Sequence, residues 1–296
     1  LPTVGHAEYD TPTYTDAKSR VMDRRSYQLA VVTTALTFAL ILVGEYTAVS
    51  GSGATCGLQW PSCNGQLLPL GLQIHDFIEQ FHRGFAMVVG FFILGTGAVS
   101  WRNFDARDIK IGGVLAVVLL PIQVILGGTT VTFSGLVPWG YMPITQAVHH
   151  FTALAIFGTL LYTTLRMREL VGRGVGSVRT ASLAGLAVLP VALVFSRNTV
   201  FAVYGTRVQL IHHALELLVF SAALTALVWA RRRRAGRAAR AMVATLGAVT
   251  VQILIGTGVV QFTPTVHLAY YVLTAAVAGL FVLTARSTRG DAAVAA

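Results

Sequence analysis

Six of the eight histidines in this 296-residue chain, His82, His149, His150, His212, His213 and His267, fall at four places, each just inside the start of a long apolar run. An imidazole among apolar side chains is costly unless it is hydrogen-bonded or ligates a metal. One such histidine is served equally well by a hydrogen bond at a membrane interface. Four at matching places, two in each half of the chain, are the pattern with which facing helices hold a haem iron from both sides. A zinc site would want a tighter shell of N, S and O ligands, and the two cysteines lie away from these runs. His150 and His213 follow the matching positions and point about 100° away on a helix. They are read as interfacial hydrogen-bonding residues instead of ligands.

Glu79 precedes His82 by three residues, and positions i and i+3 share a helix face. Its carboxylate is expected beside the metal-bound ring, where it can accept a proton or stabilise developing positive charge. The simpler alternative is an interfacial carboxylate paired with Arg83. Gln209 occupies the equivalent place before His212 and supports neither role, so the two halves differ at this point. Glu216, one turn beyond His212, reads as a hydrogen-bond partner for an imidazole on its own helix. Cys56 and Cys63 share one polar loop. A disulfide there serves either as a loop staple or as a redox-active pair.

These residues need helices in lipid to position them. The chain is 54% hydrophobic and 11% charged with mean hydropathy +0.67, outside the range of soluble domains. A net charge of +10 could suggest nucleic acid, but the basic residues cluster between apolar runs, as in membrane proteins. Eight segments reach the ~20 residues that a bilayer span requires: 29–49, 80–100, 111–132, 145–165, 180–196, 208–229, 242–261 and 266–285. With the N-terminus cytoplasmic, 19 of the 22 Lys and Arg residues fall on the cytoplasmic side, as the positive-inside rule demands. Arg83, Arg197 and Arg207 are left at the outer face as candidate anion contacts. The first 25 residues are polar and basic and read as a disordered or surface-lying tail, with no cleavable signal sequence.

The two halves repeat. Ile122-Gln-Val-Ile-Leu-Gly127 is echoed by Val251-Gln-Ile-Leu-Ile-Gly256, Val148-His149 by Val266-His267, and Glu79-Gln-Phe-His82 by Gln209-Leu-Ile-His212. An even number of spans per half gives both halves one orientation. The expected fold is therefore all-α: eight transmembrane helices in two pseudo-symmetric four-helix bundles. The segments are a cytoplasmic tail (1–28), a first bundle (29–168), a linker (169–179), a second bundle (180–286) and a C-terminal cytoplasmic tail (287–296). About 11 extra residues enter the outer loop between the third and fourth helices, Phe133 to Pro143.

The loop Cys56-Gly-Leu-Gln-Trp60-Pro61-Ser-Cys63-Asn-Gly, the Glu79-Gln-Phe-His82-Arg83 stretch and the repeated histidines together resemble the haem A synthase family over residues 29–286. The resemblance implies oxidation of a methyl group of haem O to a formyl group, supplying haem A to cytochrome oxidase. By position it assigns His82 and His149 to the substrate haem, and His212 and His267 to a permanent haem b. With it, Arg83, Arg197 and Arg207 become candidate propionate contacts and Cys56 and Cys63 an expected disulfide, beside Glu79, which its spacing from His82 makes the expected catalytic residue. It also implies a bacterial plasma-membrane location, and haem O synthase and cytochrome oxidase assembly factors as partners. Where many members carry Arg eight residues before the first loop cysteine, this chain has Ala48, with Glu45 on the same helix. A dihaem electron carrier would need histidines at the inner side as well, which the apolar runs lack. A haem exporter or chaperone could use the same ligands, and the contrast of Glu79 with Gln209 argues against it.

Overall fold

Long apolar segments in lipid must satisfy every backbone N–H and C=O internally, and helices do so. The computed structural model describes residues 14–57, 59, 62–68, 70–134, 143–197, 203–256 and 262–289. They form α1 (Tyr14–Val49), α2 (Ile74–Asn103), α3 (Arg107–Ser134), α4 (Pro143–Arg168), α5 (Val178–Val194), α6 (Thr206–Arg232), α7 (Gly236–Gly256) and α8 (Pro264–Ser287). Seven contain stretches long and apolar enough to cross a membrane, and α5 is a shorter apolar helix of 17 residues. The chain is thus a multi-pass membrane protein. Trp60, Pro61 and most of the loop expected to carry extra residues lie outside the described residues.

Each of the eight expected segments has its helix among the described residues, α5 stopping at Val194 two residues before the expected end, and the largest difference is at the start. Residues 14–28, expected as part of a tail, belong to α1. The helix continues because its early turns have partners. Ser26 accepts a hydrogen bond from Asn103 at 2.8 Å, Tyr27 lies under the Arg173 guanidinium, and Tyr27 and Ala30 pack with Phe104, Ile109 and Met167. Seventh-helix residues end at Gly256, short of the expected 261, and 257–261 lie outside the described residues. The connection after α4 is a π-helical turn, Glu169–Arg173, whose Glu169 pairs with Arg166 and with Arg232.

Neighbouring helices close two rings. In the first, α1 packs on α2, α2 on α3, α3 on α4 and α4 back on α1; in the second, α5 to α8 follow the same order. The rings meet where α1 and α4 contact α6. Without a hydrophobic drive between helices in lipid, close packing and polar pairs hold such rings. Thr33 bonds Thr96 at 2.7 Å across α1 and α2, and Thr34 bonds Thr164 at 2.9 Å across α1 and α4. In the second ring Gly185 of α5 lets the Phe281 ring of α8 lie against its backbone, where a Cβ would overlap it. Gly185→Ala is therefore expected to lower stability by roughly 1–3 kcal/mol, the usual cost of overpacking. Thermal melting of the purified protein checks this, and an unchanged midpoint would contradict it. Large side chains such as Phe91, Ile125, Leu268 and Val272 stay exposed on the outside of the rings, as a lipid-facing surface requires.

Candidate functional site

In the first ring His82, on α2, and His149, on α4, stand opposite glycines of the neighbouring helices. A Cβ on Gly44 of α1 would come to 3.0 Å from His82 Cε1, and one on Gly127 of α3 to 3.2 Å from His149 Cε1. Both imidazoles use the space that these missing side chains leave. Gln123 Nε2 is 3.4 Å from His149 Nε2. Among the described residues, the buried Nδ1 atoms of His82 and His149 have no hydrogen-bond partner. Buried imidazole nitrogens left unsatisfied cost free energy that a ligand can recover.

The second ring repeats the glycine and changes the partners. Gly256, the counterpart of Gly127, faces His212 and Glu216, and a Cβ there would lie 3.2 Å from Glu216 Oε2. His212 Nδ1 donates to the Ala192 carbonyl at 2.9 Å, which turns Nε2 inward. Nε2 meets the Tyr270 hydroxyl and Glu216 Oε1, each at 3.2 Å, and Tyr270 donates to Glu216 at 3.0 Å. Glu216 is thus the hydrogen-bond partner of a helix-6 imidazole that its spacing suggested. His267, on α8, lies half-buried between Phe262 and Tyr271, with ring centroids 4.8 and 6.2 Å away.

The arginines separate. Arg197 stacks on Tyr204 at 4.9 Å and on Phe262 at 4.5 Å, two rings that themselves border His212 and His267. Burial pushes the Tyr204 phenol up to about 12, against the pull of Arg197, so it remains protonated. Arg83 instead pairs with Glu79 and donates to the Gln59 carbonyl at 2.6 Å. Arg207 is exposed in the first turn of α6.

Glu79 is 2% exposed and bound on both oxygens. Oε2 accepts from the Cys56 amide at 2.7 Å and from Thr55 Oγ1 at 3.3 Å, while Oε1 takes the Arg83 guanidinium. The carboxylate therefore ties the cysteine loop to the helix that carries His82. Further ties are Ser52 to His75 at 2.9 Å and Gln80 to the Leu67 carbonyl at 2.7 Å. Cys56 and Cys63 form a disulfide and are both buried. Labelling with a thiol reagent in membranes isolated without reductant should modify neither cysteine, and both after reduction and unfolding. Free thiols in fresh membranes would be the contrary result.

His150 and His213, read from the sequence as interfacial residues, instead meet each other. Their Nε2 atoms are 3.1 Å apart, both rings are buried, and Glu45 of α1 lies alongside. The available signal was the two His-His doublets combined with an acidic residue inside an apolar span.

Taken together, the chain is an α-helical membrane protein with histidine pairs in two successive helix rings. Residues 71–200 match a family model described as Cytochrome oxidase assembly protein. The haem A synthases of Bacillus mycoides (strain KBAB4) and Bacillus cereus (strain AH187) are each 30% identical to it over 150 residues, 50% of this chain and 46% of theirs. The chain spans about half the length of the curated relatives it matches.

Proposed function

We propose that this protein is a haem A synthase of the bacterial plasma membrane, oxidising a methyl group of haem O to the formyl group of haem A. The observation that carries the reading is the His82–His149 pair, with glycines against both rings and buried Nδ1 atoms that lack partners among the described residues. This pair lies inside the segment matched by the family model, and in this reading it grips the substrate haem. Glu79, on the turn before His82, takes up protons released on oxidation or stabilises the charge that develops.

His212 and His267 are proposed to hold haem b, with Arg197 at a propionate. Two features of the second ring suit that group: the Ala192 carbonyl orients the His212 ring, and Gly256 leaves room beside Glu216, the neighbour of its Nε2. Haem b bound there would supply one-electron redox chemistry beside the substrate half. For His212 Nε2 to become a ligand, the Tyr270 hydroxyl and Glu216 Oε1 would both give up that nitrogen while keeping their bond to each other. The repeat and the equal order of contacts in the two rings support eight spans in two pseudo-symmetric bundles. The distribution of Lys and Arg supports cytoplasmic termini. Haem O synthase would deliver the substrate, and cytochrome oxidase assembly factors would receive the product.

Expression in cells that make haem O but lack haem A tests the reading. Haem A should appear in extracted pigment, identified by mass. Bound haem O without conversion would favour a haem exporter or chaperone.

A further inference from the structure

Glu45, His150 and His213 come from α1, α4 and α6, the three helices at which the rings meet. They are 3%, 6% and 2% exposed, and one ligand atom from each lies within 4.8 Å of the others. The His150 and His213 rings meet edge to face, 78° apart, with their Nε2 tips 3.1 Å from each other. Two nitrogens bound tetrahedrally at ~2.0–2.1 Å stand about 3.3 Å apart, close to the separation already present. A bare N–H···N hydrogen bond would also place the tips there, but it needs no carboxylate. Glu45 has a single described hydrogen bond, from Gln209 Nε2 at 3.2 Å, and no Lys or Arg pairs with it among the described residues. A carboxylate taken out of water needs a compensating positive charge or it loses its own.

We propose that Glu45, His150 and His213 form a binding site for a divalent first-row transition-metal cation of the zinc class, at the seam between the two helix rings. Two neutral imidazoles and one carboxylate suit such a cation and leave its remaining position to water. Gln209 orients the carboxylate from behind, as outer partners of metal ligands do. The cation would tie three helices of both rings together and neutralise the buried charge. His150 and His213 are chain neighbours of His149 and His212, but the site uses neither of those residues and does not depend on the haem assignment.

The test uses the full chain, purified in detergent, treated with chelator and titrated with Co(II) as a spectroscopic probe. A single saturable equivalent should appear with the visible absorption of a low-coordinate nitrogen–oxygen site, and Zn(II) should displace it. His213→Gln and Glu45→Gln should each weaken binding ~100-fold or more, since even outer-partner changes cost 10–100-fold. The paired substitution His82→Ala with His149→Ala should leave it unchanged. Circular dichroism and size-exclusion elution establish that each variant is folded, and Glu45→Gln carries the test if His213→Gln is not. Absence of saturable binding would overturn the proposal. So would binding that survives in folded His213→Gln or Glu45→Gln protein, or binding that follows His82 and His149.

Discussion

Glu79→Gln is expected to leave a folded, disulfide-bonded protein that accumulates haem O and makes haem A at least ~100-fold more slowly, the usual loss when a preorganised electrostatic group is removed. The glutamine side chain keeps an acceptor oxygen for the Cys56 amide and Thr55 hydroxyl but cannot hold a proton or a charge. It thereby brings the first ring to the chemistry that Gln209 already gives the second. The competing account is structural, since Glu79 also pairs with Arg83 at low exposure. Removing one partner of a buried pair costs several kcal/mol. In that case the melting temperature should fall and the loop cysteines become easier to reduce, while the folded fraction retains its turnover. Haem A yield per folded molecule, measured alongside thiol accessibility, separates the two. Near-normal yield would remove Glu79 from the mechanism and leave it as the fastening of the loop.

The helices were legible because hydropathy and length decide them in lipid, and each of the eight expected spans has its own helix among the described residues. The histidine positions were legible for the same reason: once the helix starts are known, depth follows from ~1.5 Å per residue. Partners across helices were not. The ~100° step from His149 to His150 turns the second ring not toward an interface but toward the other helix ring, where α6 supplies His213. Which surface receives that face depends on how the rings dock, and docking has no signature in a single sequence. Glu79 shows the same limit. Its place on the helix face was given by spacing, but its contacts with Thr55 and Cys56 come from a loop whose path is set by the disulfide and by ties to α2. The early start of α1 had its cause in Asn103 and Arg173, residues far along the chain.

If the second ring holds haem b as proposed, His212→Ala and His267→Ala should each abolish a six-coordinate haem b spectrum of the purified protein while the chain still inserts. The structural cost of the first substitution is bounded. His212 gives up one hydrogen bond to Ala192 and its contacts with Tyr270 and Glu216, a loss of ~1–3 kcal/mol. Glu216 Oε1 retains the Tyr270 hydroxyl, so the oxygen that faced His212 keeps a partner. Loss of iron ligation is a separate effect and is read separately, by reduced-minus-oxidised spectra on protein that elutes as a single folded species. Tyr270→Phe sharpens the test, because the hydroxyl sits within hydrogen-bond reach of the nitrogen that iron would take. Without it Nε2 is freer, and haem b should be retained or bound more tightly. If the His212–Tyr270–Glu216 cluster were only a structural hydrogen-bond network, Tyr270→Phe would lower stability and neither histidine variant would change the pigment. Full retention of the six-coordinate spectrum in both His212→Ala and His267→Ala would remove haem b from this ring.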